Sequence, residues 1–307
     1  MNAPGGRPRV LVGFLSERQE FQRMQAEDAR STAARRGLDV EVVFAENNAV
    51  LQIQQLYRGI HRPPEERVAA IVVETVVGEG LERVARAAVN AGVGWILVNR
   101  RVGYVADLRR LRPDLPICGV GTDQDAVGRL QARQVLALVP GGRGLILYLQ
   151  GPPDTSAAAE RLAGLTAGLS GTGVEVRLLV GDWTEESGRR AVERWLSLKT
   201  SEGLRPEVIA CQNDAMAAGA RQALAAAARR ELAGVRLTGC DGLVEGGRRL
   251  VDQGALAATV VTPSNAGPAL DIVARALSQR QQPEMELLLQ PTSYPDLGEG
   301  KLGRPVR

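Results

Sequence analysis

A chain of 307 residues exceeds what one ordinary core organises and suits two α/β domains. Its 44% hydrophobic content is that of a globular protein, and no apolar run approaches the roughly 18 to 20 residues of a membrane-spanning helix. The net charge of +3 is spread over arginine pairs at 35–36, 100–101, 109–110, 189–190, 229–230 and 248–249 with acids between them, and aromatics are only 3%, so nucleic acid is not an expected partner.

The first residues, MNAPGGRPRVLVGFLS, run from a short polar leader straight into a strand-like segment. They carry neither a charged stretch leading into an apolar one nor a small-residue cleavage site. As written, this predicts a cytoplasmic chain, and a periplasmic one if the true start lies elsewhere. Strands are predicted at 9–15, 39–44, 68–73, 93–98, 144–149, 174–180, 207–211, 235–240 and 255–261. All are continuous apolar runs rather than alternating ones, the pattern of parallel strands buried on both faces.

Amphipathic helices lie between them. In 79–91, Leu81, Val84, Ala85, Ala88 and Val89 recur at helical spacing and Gly92 follows as a stop. The helix 184–198 opens on Thr184, carries Glu185 and Glu186 in its first turn where carboxylates favour the dipole, and buries Val192, Trp195 and Leu196. The segment 101–117, with Leu108, Leu111 and Leu115, either covers its own domain or meets a neighbouring chain. The β-α-β alternation runs once before about residue 121 and again after it, which predicts an α/β protein of two similar doubly wound parallel sheets, Rossmann-like in design. From Gln282 onward, prolines at 283, 291 and 295 leave room for a last strand or crossover near 286–290 and a loose terminus.

Enzymatic chemistry has little to stand on. The single histidine, His61, sits in His-Arg-Pro-Pro, far from any strand end, as a solvated loop residue. Gly119-Val-Gly121 begins like a dinucleotide loop but lacks the third glycine, and neither Lys199 nor Lys301 sits in a phosphate-binding loop. Cys118, Cys211 and Cys240 are odd in number and embedded in strands, so they read as buried thiols rather than disulfide or zinc ligands. No cofactor and no metal are expected.

In open parallel sheets ligands bind beyond the carboxyl ends of the strands. The residues there include Ser16, Gln19, Phe21, Glu74, Asn99, Arg100, Gln150, Trp183, Gln212, Asn213, Asp214, Asp241 and Thr262. Amides, carboxylates and guanidiniums satisfy hydroxyls that both donate and accept, and an aromatic face lies against the apolar face of a sugar ring. The bland alternative is that polar residues end strands to cap helices and make turns.

Three stretches carry a resemblance. Leu149-Gln-Gly-Pro-Pro-Asp-Thr-Ser-Ala-Ala-Ala-Glu-Arg161 resembles an LQG…TSAxxER motif, Cys211-Gln-Asn-Asp-Ala-Met-Ala-Ala-Gly219 a QND-x-MA-x-G motif, and Gly239-Cys-Asp-Gly242 a G-[FY]-D-G turn. In this order and spacing they are similar to the type I periplasmic binding proteins and the ligand-binding domains of lactose-repressor-type regulators, closest to the ribose-binding branch, over roughly 9–290. By the resemblance, Arg161, Asn213 and Asp241 contact ligand. Asn99-Arg100 stands where the family usually has Asp-Arg, Trp183 where it has an aromatic, Thr262 where glutamine is common, and Glu74 where asparagine or aspartate is common. Gln19 and Phe21 replace the usual asparagine and the first of two aromatics, and Gln22 removes the second.

The resemblance implies a first lobe of 1–121 with 263–290 and a second of 122–262 with 291–307, joined by a three-strand hinge and closing around the ligand in the cleft between them. The expected ligand is a monosaccharide or related polyol. The expected role is the solute-binding component of a sugar ABC transporter or a ligand sensor, with an ABC permease or a signalling protein as partner and a monomer or weak dimer as the assembly. The alternative is an intracellular sugar-sensing domain without a DNA-binding domain of its own, since about eight residues precede the first strand.

Overall fold

The computed structural model describes residues 6–63, 65–227, 229–279 and 281–299. In chain order the elements are β1 (Arg9–Phe14), α1 (Glu20–Arg36), β2 (Asp39–Phe44), α2 (Ala49–Ile60), β3 (Ala70–Val73), α3 (Glu82–Asn90), β4 (Gly94–Val98), α4 (Val105–Leu111) and β5 (Ile117–Thr122). They continue with α5 (Gln124–Leu138), β6 (Arg143–Gln150), α6 (Ser156–Leu169), β7 (Gly173–Val180), α7 (Glu185–Leu196), β8 (Val208–Cys211), α8 (Asp214–Ala226), β9 (Arg236–Asp241) and α9 (Arg249–Asp252). The last are β10 (Ala258–Val261), α10 (Ala266–Gln279), β11 (Glu286–Leu289) and β12 (Thr292–Tyr294).

The chain divides into two compact units, Met1–Thr122 with Ser264–Leu289 and Asp123–Pro263 with Gln290–Arg307. The backbone therefore passes between units at 122/123, 263/264 and 289/290, against the 121/122, 262/263 and 290/291 expected from sequence.

In the first unit the strands lie in the order β11-β5-β4-β3-β1-β2, and every pairing is parallel. Successive side chains of β1 alternate between two cores. Val10, Val12 and Phe14 join Ala26, Ala29 and Ala33 of α1 and Ala269, Leu270 and Val273 of α10 on one face. Leu11 joins Leu56 of α2, Val84 and Ala88 of α3 and Leu108 of α4 on the other. Burial on both faces accounts for the unbroken apolar runs. The 101–117 segment covers its own unit: Tyr104, Val105 and Leu108 are buried in that second core, Leu115 packs against it, and Leu111 is left exposed.

The second unit has the order β12-β10-β9-β8-β6-β7, parallel except where β12 runs antiparallel to β10. Leu147 and Leu149 pack with α7 and α8, while Ile146 and Tyr148 pack with α5 and α6. The helix pairs touch backbone to backbone through glycines. A Cβ at Gly128 would overlap the Arg161 carbonyl oxygen, and one at Gly219 the Glu185 carbonyl oxygen.

Three local differences from the sequence reading have physical causes. The helix expected over 79–91 is a single tight turn, Gly78–Leu81, followed by α3, with Gly92 at φ +81 as its stop. His61 is exposed, as expected of a solvated loop residue, but it is tied down as the C-cap of α2, its Nδ1 3.0 Å from the Tyr57 carbonyl and its ring stacked on Tyr57. β5 and β12 were not expected as strands. Gly119 and Gly121 interrupt the apolar run of β5, and β12 is three residues held by antiparallel pairing to β10.

Because nothing can move into the space between α7 and α8, Gly219→Ala should destabilise the second unit by about 1 to 3 kcal/mol. The measurement is the urea midpoint, and an unchanged midpoint would mean that the two helices separate without cost.

Candidate functional site

Parallel strands deliver their last residues to one edge of each sheet, where helices begin and backbone N–H groups need acceptors. In the first unit that edge is organised by Glu74, which follows β3 and is wholly buried. Its Oε2 accepts from Gln22 Nε2 at 2.9 Å, its Oε1 accepts from Asn99 Nδ2 at 2.9 Å, and the Arg100 guanidinium lies 3.3 Å from Oε1. Gln22 is itself fixed, its Oε1 accepting from the Leu15 amide at 3.2 Å. Gln52 of α2 donates to the Glu74 carbonyl at 2.8 Å and accepts from the Val76 amide at 3.0 Å, which anchors the loop after β3.

Glu74, expected at the ligand, holds both Asn99 and Arg100 at this edge. The Arg100 side chain is 10% exposed and has Glu74 as its partner among the described residues, so most of its five donors remain uncommitted. A buried guanidinium costs several kcal/mol unless paired, and Glu74 supplies the pairing. Gln19 is the N-cap of α1, half-buried, with no side-chain capping bond; Phe21 is half-buried on the first turn of that helix.

In the second unit the edge is built on Arg161 of α6, which is 5% exposed. Its Nε donates to Gln124 Oε1 at 2.7 Å, another of its nitrogens donates to the Gln212 carbonyl, and its guanidinium lies 5.7 Å from the centre of the Trp183 ring. Among the described residues no carboxylate forms an ion pair with it. The Trp183 ring rests on Gly151, where a Cβ would overlap it. Asn213 caps α8 by accepting from the Met216 amide at 2.9 Å and donates to the Trp183 carbonyl at 2.8 Å. One asparagine thus fixes both a helix start and the loop that carries the aromatic.

Below this layer Gln212 ties three elements together. It donates to Tyr148 Oη and to the Ala158 carbonyl, each at 3.0 Å, and accepts from the Gly151 amide at 3.0 Å. Burial pushes the Tyr148 phenol well above its ordinary range and the Cys240 thiol up to about 12, with Cys211 raised in the same direction, which favours the neutral thiol over the thiolate at both cysteines. Asp214 is also committed to structure: it accepts from Thr259 Oγ1 at 2.7 Å and from the Gly242 amide at 2.8 Å. Thr262, next to β10, donates its amide to the Asp241 carbonyl at 3.1 Å, while its buried hydroxyl has no hydrogen-bond partner among the described residues.

Backbone conformation marks the same edges. Among the described residues five non-glycine residues have positive φ, and they are Glu46, Asn47, Asn99, Trp183 and Asp241. Each follows or ends a strand at a carboxyl edge, and three of them are residues expected in the site from sequence. Such conformations cost on the order of 1 to 3 kcal/mol each and concentrate where a side chain must be aimed. In the sequence Gln22 reads only as a missing aromatic, Gln124 only as part of the Thr122-Asp123-Gln124 crossover that the resemblance implies, and Gln52 has no assigned role. Their signal was glutamines at inward-facing helix positions, where an apolar residue would be ordinary.

Glu74→Ala should lower the stability of the first unit by about 3 kcal/mol or more, because the buried Gln22 amide and the Arg100 guanidinium would lose the carboxylate that pairs with them. Urea denaturation followed by tryptophan fluorescence measures it, and a loss no larger than that of a surface substitution would contradict the arrangement.

With this geometry in place, the chain can be set beside known proteins. Residues 12–279 match the family described as the periplasmic binding protein domain. The galactofuranose-binding protein YtfQ of Escherichia coli (strain K12) is 26% identical over 298 residues, covering 95% of this chain and 90% of that protein. The periplasmic binding protein component of the arabinose ABC transporter from Shewanella sp. ANA-3, solved with alpha and beta-L-arabinofuranose, aligns with a TM-score of 0.81 at 21% identity, over 94% of this chain and 93% of that one. The Caulobacter myo-inositol binding protein, solved with myo-inositol, aligns with a TM-score of 0.79 at 24% identity, over 95% of this chain and 94% of that one. The two lobes of parallel-sheet α/β architecture are thus those of the type I periplasmic binding proteins, and the chain belongs to the periplasmic binding protein domain family.

Proposed function

We propose that the chain binds a monosaccharide or related polyol, that residues of both units hold it, and that it does so as the solute-binding component of an ABC importer rather than as an enzyme. The observation that carries this reading is the coincidence of aimed backbone and polar chemistry: Asn99, Trp183 and Asp241, all at positive φ, lie at the strand ends beside Arg100, Arg161 and Thr262. A polyol offers hydroxyls that donate to Asp241 and accept from the guanidiniums, and its C–H face suits the indole of Trp183. The names of the relatives, which bind galactofuranose, arabinofuranose and myo-inositol, support the same ligand class.

The importer role requires a permease partner and a location outside the inner membrane; a sensing role would place the chain with a signalling partner instead. Cell fractionation with an antibody to the chain separates the two roles.

A thermal-shift panel of furanoses, pyranoses, inositols and alditols should give a rise in Tm for one class, since a ligand that binds only the native state stabilises it. A flat response across the panel would contradict the ligand class. For the responding ligand, Asp241→Ala should weaken binding by about 2 kcal/mol or more in calorimetry, as a charge-assisted hydrogen bond is lost. Asn99→Gly keeps the backbone at φ +58 but takes one donor from the buried Glu74 carboxylate, so it should lower the urea midpoint less than Glu74→Ala does and still weaken binding; equal affinity would remove Asn99 from the site.

A further inference from the structure

We propose that the free edge of β7 is a self-association surface whose partner is a second copy of this chain. β7 is the terminal strand of the second unit's sheet and pairs with β6 over eight consecutive residues, from Gly173 opposite Arg143 to Val180 opposite Gln150. No other strand pairs with its outer edge among the described residues. The Gly181 amide donates to the Gln150 carbonyl, so by alternation the backbone groups of 175, 177 and 179 turn toward β6. Those of Val174, Val176, Leu178 and Val180 turn outward.

Around Val176 the strand reads Val174-Glu175-Val176-Arg177-Leu178, a palindrome of chemical type. A two-fold axis at Val176 sets it against a second Val176, Val174 against Leu178 and Glu175 against Arg177. The residues that then face each other as hydrogen-bonded pairs are 174, 176 and 178, the ones whose N–H and C=O point outward. On one sheet face the apolar side chains meet, and Leu178, 47% exposed, gains cover. On the other face Glu175 and Arg177, which form an ion pair 3.0 Å apart within the strand, meet their opposites across the axis as an alternating ring of four charges.

The remaining edges lack these properties. β2 carries two acids, Asp39 and Glu41, and no basic residue, so no two-fold axis along it sets opposite charges against each other, and β11 and β12 are four and three residues long. Natural edge strands are blunted by shortening, bulges, proline or charged side chains; β7 is long and regular, and its two charges are opposite in sign, so across a two-fold axis they attract.

Analytical ultracentrifugation of the intact chain from micromolar to near-millimolar concentration should show a monomer–dimer equilibrium. Glu175→Arg alone and Arg177→Glu alone should each weaken it at least about tenfold, because like charges then lie opposite across the axis. The double variant E175R/R177E should restore dimerisation, and an equimolar mixture of the two single variants should associate more tightly than either alone. Val176→Pro removes an outward amide at a position where edge strands accept proline, and should abolish the dimer while leaving the circular dichroism spectrum intact. A monomer at every concentration would overturn the proposal. So would a dimer indifferent to these substitutions, which would place the contact elsewhere, or a double variant as weak as the single ones.

Discussion

A parallel sheet covered by helices on both faces has one place to put polar side chains without covering them, the edge where its strands end. That constraint governs both units. The central strands are apolar because both of their faces are buried, whereas the edge strands β2 and β7 carry exposed charged residues where continuous burial was expected, and the apolar runs stop at the same edge because there the chain must turn into a helix. Unpaired helix N–H groups and closely spaced turns then call for Asn, Asp, Gln and Thr, so the edge is rich in hydrogen-bonding groups before any ligand is considered. What distinguishes these edges from ordinary ones is that some of these groups are aimed by costly backbone.

The two units solve the burial of a guanidinium differently. Arg100 is neutralised by Glu74, a carboxylate that two other side chains, Gln22 and Asn99, hold in place, so the pair adds no net charge and the remaining donors of the fork are directional rather than merely positive. Arg161 is held by the neutral oxygens of Gln124 and Gln212 and faces an indole ring. Dipoles and a π face moderate its charge without cancelling it. Each edge, taken by itself, thus offers directional donors of the kind that the hydroxyls of the proposed neutral ligand accept.

Much of this was legible in the chain. Continuous Val/Ile/Leu runs mark buried parallel strands, and the Thr184 start with Glu185 and Glu186 marks α7, whose N-cap hydroxyl accepts from the Ser187 amide at 3.1 Å. The strand-end rule led to Asn99, Arg100, Trp183, Asn213, Asp241 and Thr262 without coordinates. What was not legible depends on convergence. Nothing local tells that Gln22, Glu74 and Asn99, well apart in sequence, meet at one carboxylate, so the part that the wholly buried Glu74 plays in holding its neighbours is not readable there. Gln22 reads as the absence of an aromatic although its amide does specific work. β5 escaped because two glycines lower its apolar signal, yet its neighbours β4 and β11 make it a strand. Local propensity was overridden there by pairing across the sheet.

The central claim is that one polyol takes hydrogen bonds from both units, through Arg100 in the first and Arg161 in the second. The side-chain Nε–H resonances of these two arginines, assigned by substituting each with lysine, report on the two units separately in a nitrogen-15 NMR titration. With the sugar or polyol selected by thermal shift, both resonances should move, with the same midpoint and at one equivalent of ligand. Movement at only one arginine, or two different midpoints, would contradict a ligand held by both.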